Sequence, residues 1–268
     1  MSTATTQSRT HRGARRRHHR LYPFTTVLRI AAQLRGDPRT VALVLVVPAL
    51  LLILLYYVFV DAPTPPGHSP AFDRIGPTML AVLPMMLMFI VTSVVMLRER
   101  TSGTLERILT TPLSKTNLIG SYAMVFGVLA SLQALILGAL VLGPMDVPLA
   151  GPVWVLLLTA VLDAVFGVAF GLLASAFART EFQAVQFMPL FVGPQIFLCG
   201  LLVPTTAMPA LLEHIANWLP MTWAVAVVTD VVEEPELSTD SWWHLAGLTA
   251  ITLAALILAA ASMRRRTR

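Results

Sequence analysis

The chain has 268 residues, 56% of them hydrophobic and 12% charged, with a formal net charge of +5 and a mean hydropathy of +0.74. A soluble domain carries about 25% charged residues, so this composition excludes a water-soluble globular enzyme or binding module and predicts an all-α polytopic membrane protein. A single cysteine, Cys199, excludes a disulfide within the chain, and the basic excess is read as membrane topology and anionic lipid, with no nucleic-acid partner.

Residues 1–22 hold the run HRGARRRHHR, basic and without apolar residues, which predicts a disordered, lipid-facing cytosolic tail. Over 23–38, Phe24, Val27, Leu28, Ala31 and Leu34 recur at helical spacing, with Arg29, Gln33 and Arg35 off that stripe. This pattern predicts an amphipathic helix lying at the inner membrane interface. Six apolar runs follow, at about 41–60, 75–97, 117–143, 152–177, 185–204 and 243–263, each close to the roughly 20 residues that cross a bilayer. Pro48 in the first is tolerated in a membrane helix. No signal peptide is expected, because the apolar run starts only at Val41 and no small-residue cleavage motif follows it. Between the fifth and sixth runs, 205–242 is long and carries MPALLEHIANWLP, with Pro209 near a helix start and Leu211, Leu212, Ile215 and Leu219 on one side. The next stretch, MTWAVAVVTDVV, is apolar but too short to cross. Short re-entrant helices dipping into the outer leaflet, or a folded cap over the bundle, fit both.

Lysine and arginine decide the orientation. Residues up to Arg39 hold nine, the 98–115 loop four, the 178–184 loop one and the C-terminal tail four; the alternate loops hold only Arg74. Positive charge stays on the cytoplasmic side, so both termini are predicted to be cytoplasmic and RERTSGTLERILTTPLSK, residues 98–115, cytosolic.

Catalytic chemistry is sparse. The only lysine, Lys115, follows Leu113-Ser114, so no phosphate-binding Walker A loop exists. No histidine lies deep in a span and no HExxH or clustered Cys/His pattern occurs, so no metal site is expected. One charge sits at depth: Asp163 is the twelfth residue of the fourth span, and Asp163, Gly167, Gly171 and Ser175 share one helix face at four-residue steps. Gly167-Val-Ala-Phe-Gly171 permits close helix approach. Two roles stay open for this face, helix packing or lining of a substrate path, and for Asp163 a transport role or a structural hydrogen bond.

The 98–115 stretch is a polar island between two apolar runs. Leu105, Ile108 and Leu109 form a narrow apolar stripe, and Pro112 disfavours helix at Thr111. This predicts a short helix resting on the bundle and offering Glu99, Arg100, Glu106 and Arg107 to the cytosol. RERTSGTLERILTTPLSK resembles the cytosolic coupling segment of type-2 ABC exporter permeases, matching it at Glu99, Gly103, Thr104, Leu105 and Glu106. PQIFLCGLLVPTTAMPALLEHIANWLPMTWAV (194–225) is similar to that family's fifth-span end and outer re-entrant helices, with Cys199 where serine is usual. RGDPRTVALVLVVPALLL (35–52) is similar to its first span. The subgroup most resembled is the drug-resistance, daunorubicin-type permeases.

The resemblance implies a type-2 transmembrane domain over 39–266 and an ATPase-coupling role for Glu99, Arg100, Gly103, Thr104, Glu106 and Arg107. It implies a separate ABC ATPase subunit carrying ATP and Mg, with no cofactor on this chain, and a second permease chain, identical or different. It further implies a multi-pass protein of the cell membrane that exports an amphiphilic or lipophilic substrate such as a drug, lipid or glycolipid between two permeases, along the second and fifth spans. An ion-driven secondary transporter using Asp163 is the alternative; such proteins usually carry several intramembrane charges, and here there is one.

Overall fold

A computed structural model describes residues 22–64, 69–102 and 114–263. The described residues are helical throughout, without strands. The helices are α1 (Tyr22–Gly36), α2 (Pro38–Phe59), α3 (Ala71–Thr101), α4 (Lys115–Leu142), α5 (Val153–Ala174), α6 (Glu181–Leu198), α7 (Ala210–Ala216), α8 (Pro220–Glu233) and α9 (Thr239–Ala261). The tail before Tyr22 and the predicted short helix after Gly103 lie outside the described residues.

Local chemistry starts these helices where the sequence permits. Asp37 separates α1 from α2 and caps the latter: its carboxylate accepts from the Thr40 amide at 3.2 Å and the Thr40 hydroxyl at 2.6 Å, and Pro38 fills the first turn. Hydrogen bonding by Thr40 holds the Asp37 carboxyl below its usual range. Ser114 and Thr180 cap α4 and α6 through the amides of Asn117 and Gln183.

Helices α2, α3, α4, α5 and α9 are long and apolar enough to cross a membrane. At 31 residues, α3 is about 46 Å long, well beyond a hydrocarbon core of roughly 30 Å, so it begins and ends outside the predicted 75–97. Helix α2 is peripheral: Val44, Pro48 and Leu52, at four-residue steps, are buried, while Leu43, Leu50, Leu54 and Val58 are exposed as lipid contacts would be.

Two predicted elements differ. The fifth run, 185–204, becomes a helix only over Glu181–Leu198, less apolar than the other long helices and outside the set that meets the span criteria. It stops because Gly200 takes a left-handed backbone (φ 93°). In the long outer loop, α7 and α8 meet at an 87° bend. Helix α8 is packed into the bundle: Met221, Ala224, Val225, Val227, Val228 and Val231 are all buried in the core with Leu80, Met85 and Val155. Its far end is stitched to the start of α5 by the amides of Ala150 and Gly151 donating to Val232 and Val231 carbonyls. The α7 stripe, by contrast, is left exposed at Leu211, Leu212 and Ile215.

The centre of the bundle is the α3–α5 seam. A Cβ on Gly167 would collide with the Met85 carbonyl, and one on Gly171 with the Phe89 carbonyl. A step of four residues on each helix moves from one contact to the next, so α3 and α5 run parallel, backbone against backbone. Thr92 bridges them, its hydroxyl donating at 2.7 Å to Met88 and lying 3.3 Å from the Val168 carbonyl across the seam.

The two ends of the bundle differ chemically. Trp154, Trp218, Trp242 and Trp243 are exposed at one end, with the rings of Trp154 and Trp242 6.1 Å apart. Arg98, Arg100, Lys115 and Arg179 mark the other. An aromatic level at one face and cations at the opposite one is the signature of a bilayer boundary.

Candidate coupling end and buried polar groups

At the basic end, α3 delivers its last turn, Arg98–Thr101, to the edge of the bundle, and α4 departs from Ser114. Gly103, Thr104, Glu106 and Arg107, four of the six residues expected to couple, lie between these points and outside the described residues. Both anchor points are held. Arg98 forms a fork with Glu181 at the start of α6, Nε to Oε1 at 2.7 Å and Nη2 to Oε2 at 2.9 Å. Those hydrogen bonds hold the Glu181 carboxyl below its ordinary range. Both side chains are more than half exposed, so the pair orients the turn and adds at most about 1 kcal/mol. Arg100 Nη2 reaches the Ser262 hydroxyl at 3.5 Å, and Lys115 Nζ donates to the Met263 carbonyl. The end of α9 thus sits behind both anchors.

Glu99 corrects the expectation that it faces the cytosol. Its residue is 8% exposed, and its Oε1 accepts from the Tyr122 hydroxyl of α4 at 2.7 Å and lies 3.4 Å from Arg29 Nη1 of α1. A carboxylate turned inward must be paired to be tolerated, and α1 and α4 supply the partners. Sequence reasoning missed Tyr122 and noted Arg29 only as a residue off the apolar stripe of α1. In α1 the buried positions are Thr26 and Ile30, with Val27, Ala31 and Leu34 partly buried, whereas Leu28 is 54% exposed; the side chain of Phe24 is not among those described. Arg29 lies beside that inward face. A cleft of about 330 Å³ opens there, lined among others by Gln33, Leu34, Asp37, Val95, Arg98 and Phe126.

Deeper in the bundle, Asp163 is fully enclosed, and neither of its carboxyl oxygens has a hydrogen-bond partner among the described residues. Its four-residue companions Gly167 and Gly171 lie in the α3–α5 seam, and the Ser175 hydroxyl donates to its own helix at Leu172, 2.6 Å away. The face that holds Asp163 is therefore a packed one in this conformation. Gln133 of α4 is likewise fully buried with both amide atoms unpartnered, a second mid-helix polar group that periodicity did not single out.

Helix α6, like α2, is thinly enclosed. Only Ala184, Val192 and Gln195 are buried, while Phe182, Leu190 and Phe197 are exposed. Rings of Phe89, Phe170 and Phe191 run outward from α3 through α5 to α6 at centroid spacings of 5.6 and 5.4 Å. Gln195 fastens α6 to α8, its Oε1 accepting from the Met221 amide at 3.3 Å. At the tryptophan end a second cleft, about 280 Å³, is lined by residues including Arg74, Thr78, Gly200, Thr229 and Glu233. Among the described residues no cluster of His, Cys, Asp or Glu could hold a metal ion.

Comparison with known proteins places these features in context. A family model described as ABC-2 type transporter matches residues 24–232. The chain is similar to the "Probable multidrug ABC transporter permease YbhR" of Escherichia coli (strain K12), 30% identical over 192 residues that cover 69% of this chain and 52% of that protein. It is also similar to YbhS of the same strain, 29% identical over 143 residues, 52% of this chain and 37% of that one. To the "Linearmycin resistance permease protein LnrN" of Bacillus subtilis (strain 168) it is 28% identical over 178 residues, 65% of this chain and 44% of that one. The chain spans about half the length of the curated relatives it matches.

Proposed function

The chain belongs to the ABC-2 type transporter family, and from that premise we propose that it is the membrane-spanning permease subunit of an ABC exporter. In this reading it moves an amphiphilic or lipophilic cargo, a drug, lipid or glycolipid, out of the cell, driven by ATP hydrolysed with Mg on a separate subunit. It is a transport subunit and carries no catalytic site. The observation that carries the reading is the basic end, where α3 ends and α4 begins and contacts from α6 and α9 fix both points. Force applied between two braced helix ends is passed to the helices that brace them. Glu106, Arg107, Gly103 and Thr104 are proposed to meet the ATPase there, and Arg100 to brace the turn.

The basic end is then cytoplasmic, the tryptophan end external, and both termini lie in the cytoplasm of a cell-membrane protein. Helix α1 lies at the inner interface, and the α7–α8 pair re-enters from outside. The exposed aromatic face of α6 beside α3 supports a second permease chain, identical or different, with cargo passing between the two. Relatives named for multidrug and linearmycin resistance support a drug-resistance role, within which we place the chain near the daunorubicin-type group. An ion-driven carrier would need a path from water to Asp163, and the enclosure of that residue speaks against it.

The test is reconstitution. The permease, purified with its ATPase subunit, is to extrude ethidium from vesicles when ATP and Mg are supplied, and to stop when the ATPase Walker A lysine is replaced. Extrusion that follows an imposed proton or sodium gradient without ATP would overturn the reading.

A further inference from the structure

Three side chains from three helices meet at one carboxylate just before the proposed coupling segment. Glu99 sits four residues ahead of Gly103, in the last turn of α3. Its Oε1 takes the Tyr122 hydroxyl of α4 at 2.7 Å and faces Arg29 Nη1 of α1 at 3.4 Å. The second oxygen of Glu99 and the second terminal nitrogen of Arg29 are buried without another partner among the described residues. A shift of α3 that withdrew Glu99 would take from Arg29, whose side chain is 33% exposed, its counter-ion, and from Tyr122 its buried acceptor. Motion of the last turn of α3 is therefore felt at once by α1 and α4.

Packing around the three leaves α1 room to respond. Ile30 anchors α1 to the core at the basic end, yet the cleft of about 330 Å³ beside it separates Gln33 and Leu34 from Val95 and Phe126. The joint is thus polar and directional on one side and open on the other, as a pivot is. We infer that Arg29, Glu99 and Tyr122 form a three-helix clasp that positions the coupling segment and makes α1 a working part of the transmission. None of the three need touch cargo or nucleotide; they act through the segment that follows Glu99. The inference rests on the coupling role proposed above.

The test uses the full chain, purified with its ATPase subunit and reconstituted in vesicles, with ethidium as the transported probe. Arg29→Ala and Tyr122→Phe are expected to reach the membrane in parental amounts and to co-purify with the ATPase. Basal ATP hydrolysis persists while ATP-driven ethidium extrusion falls roughly tenfold, the scale set by losing one charge-assisted hydrogen bond. The double exchange Arg29→Glu with Glu99→Arg restores a substantial part of the extrusion that each single exchange loses, which a merely structural role would not predict. Gly103→Leu is the reference for the coupling segment itself. If Gly103→Leu blocks extrusion while Arg29→Ala and Tyr122→Phe extrude at the parental rate, the clasp is overturned and the coupling reading stands. If neither Gly103→Leu nor the clasp variants alter ATP-driven extrusion, the coupling reading falls and the clasp with it.

Discussion

Replacing Gly171 by alanine tests the α3–α5 seam most directly. A methyl at that position lands on the Phe89 carbonyl group, with its carbon only 3.1 Å away, and on the Thr92 hydroxyl. At Gly167 it lands 3.0 Å from both the carbonyl carbon and the Cα of Met85. Ordinary carbon contacts begin near 3.5 Å, and the obstacles are helix backbone, so relief requires the helices to separate by roughly half an ångström or more. Separation loosens packing along Ala81, Met85, Met88 and Phe89 and stretches the 3.3 Å approach of Thr92 to Val168. Overpacking of this kind costs about 1–3 kcal/mol. For a domain of this size each kcal/mol lowers the melting temperature by roughly 2–4 °C, so Gly171→Ala is expected to melt some 2–12 °C lower in mild detergent, followed by size-exclusion fluorescence after heating. Gly120→Ala is the control, because a Cβ there meets nothing within 4 Å; it is expected to melt at the parental temperature or above. Gly167→Ala and Gly171→Ala melting with the parent would refute the close parallel approach of α3 and α5.

Further outcomes are expected. Glu106→Arg is predicted to leave the permease in the membrane and abolish export, a loss of about 2–5 kcal/mol at a desolvated charge contact; parental export by this variant would remove Glu106 from the coupling surface. Asp163→Asn keeps the shape and removes the charge, and is expected to lower export of cationic dyes with little change for neutral ones; equal rates for every dye would leave Asp163 as a packing residue beside Gly167. In a Cys199→Ala background, Ser69→Cys and Glu236→Cys are expected to react with an impermeant maleimide on intact cells and Thr116→Cys only after lysis. Labelling of Thr116→Cys from outside would invert the topology.

Much of the bundle was legible because the membrane imposes its period on the sequence. Apolar runs marked α2, α3, α4, α5 and α9, whereas the caps at Asp37 and Ser114 emerged only in the structure. What stayed hidden depended on partners far along the chain. Glu99 follows an apolar span, so it read as a solvent-facing residue, but its partners are 70 residues before it and 23 after it. Length alone ranked the 220–233 stretch as shallow, since 14 residues cannot cross a bilayer. Its burial follows from a wide apolar face, opposite Thr229 and Glu233, that packs between α3, α5 and α9. The early end of α6 depended on the backbone of Gly200, and a lone glycine in an apolar run does not announce a left-handed turn. Of the site, the coupling reading of 98–115 rests on its pattern, with 103–113 outside the described residues, while the contacts of Arg29 and Tyr122 with Glu99 left no sign in the sequence, because a hydrogen bond between distant helices has no local period.

The brace at the end of α9 also bears on how the protein is made. Lys115 finds its acceptor at Met263, 148 residues later, and Arg100 finds Ser262 after 162. At about 5–20 residues per second, a ribosome needs roughly 7–30 seconds to pass from one to the other. For that interval α3 and α4 are already inserted while the groups meant to steady their inner ends do not yet exist. The basic end is therefore the last part of the bundle to mature. The final helix thus completes the basic end last in the order of synthesis and steadies it in the finished bundle.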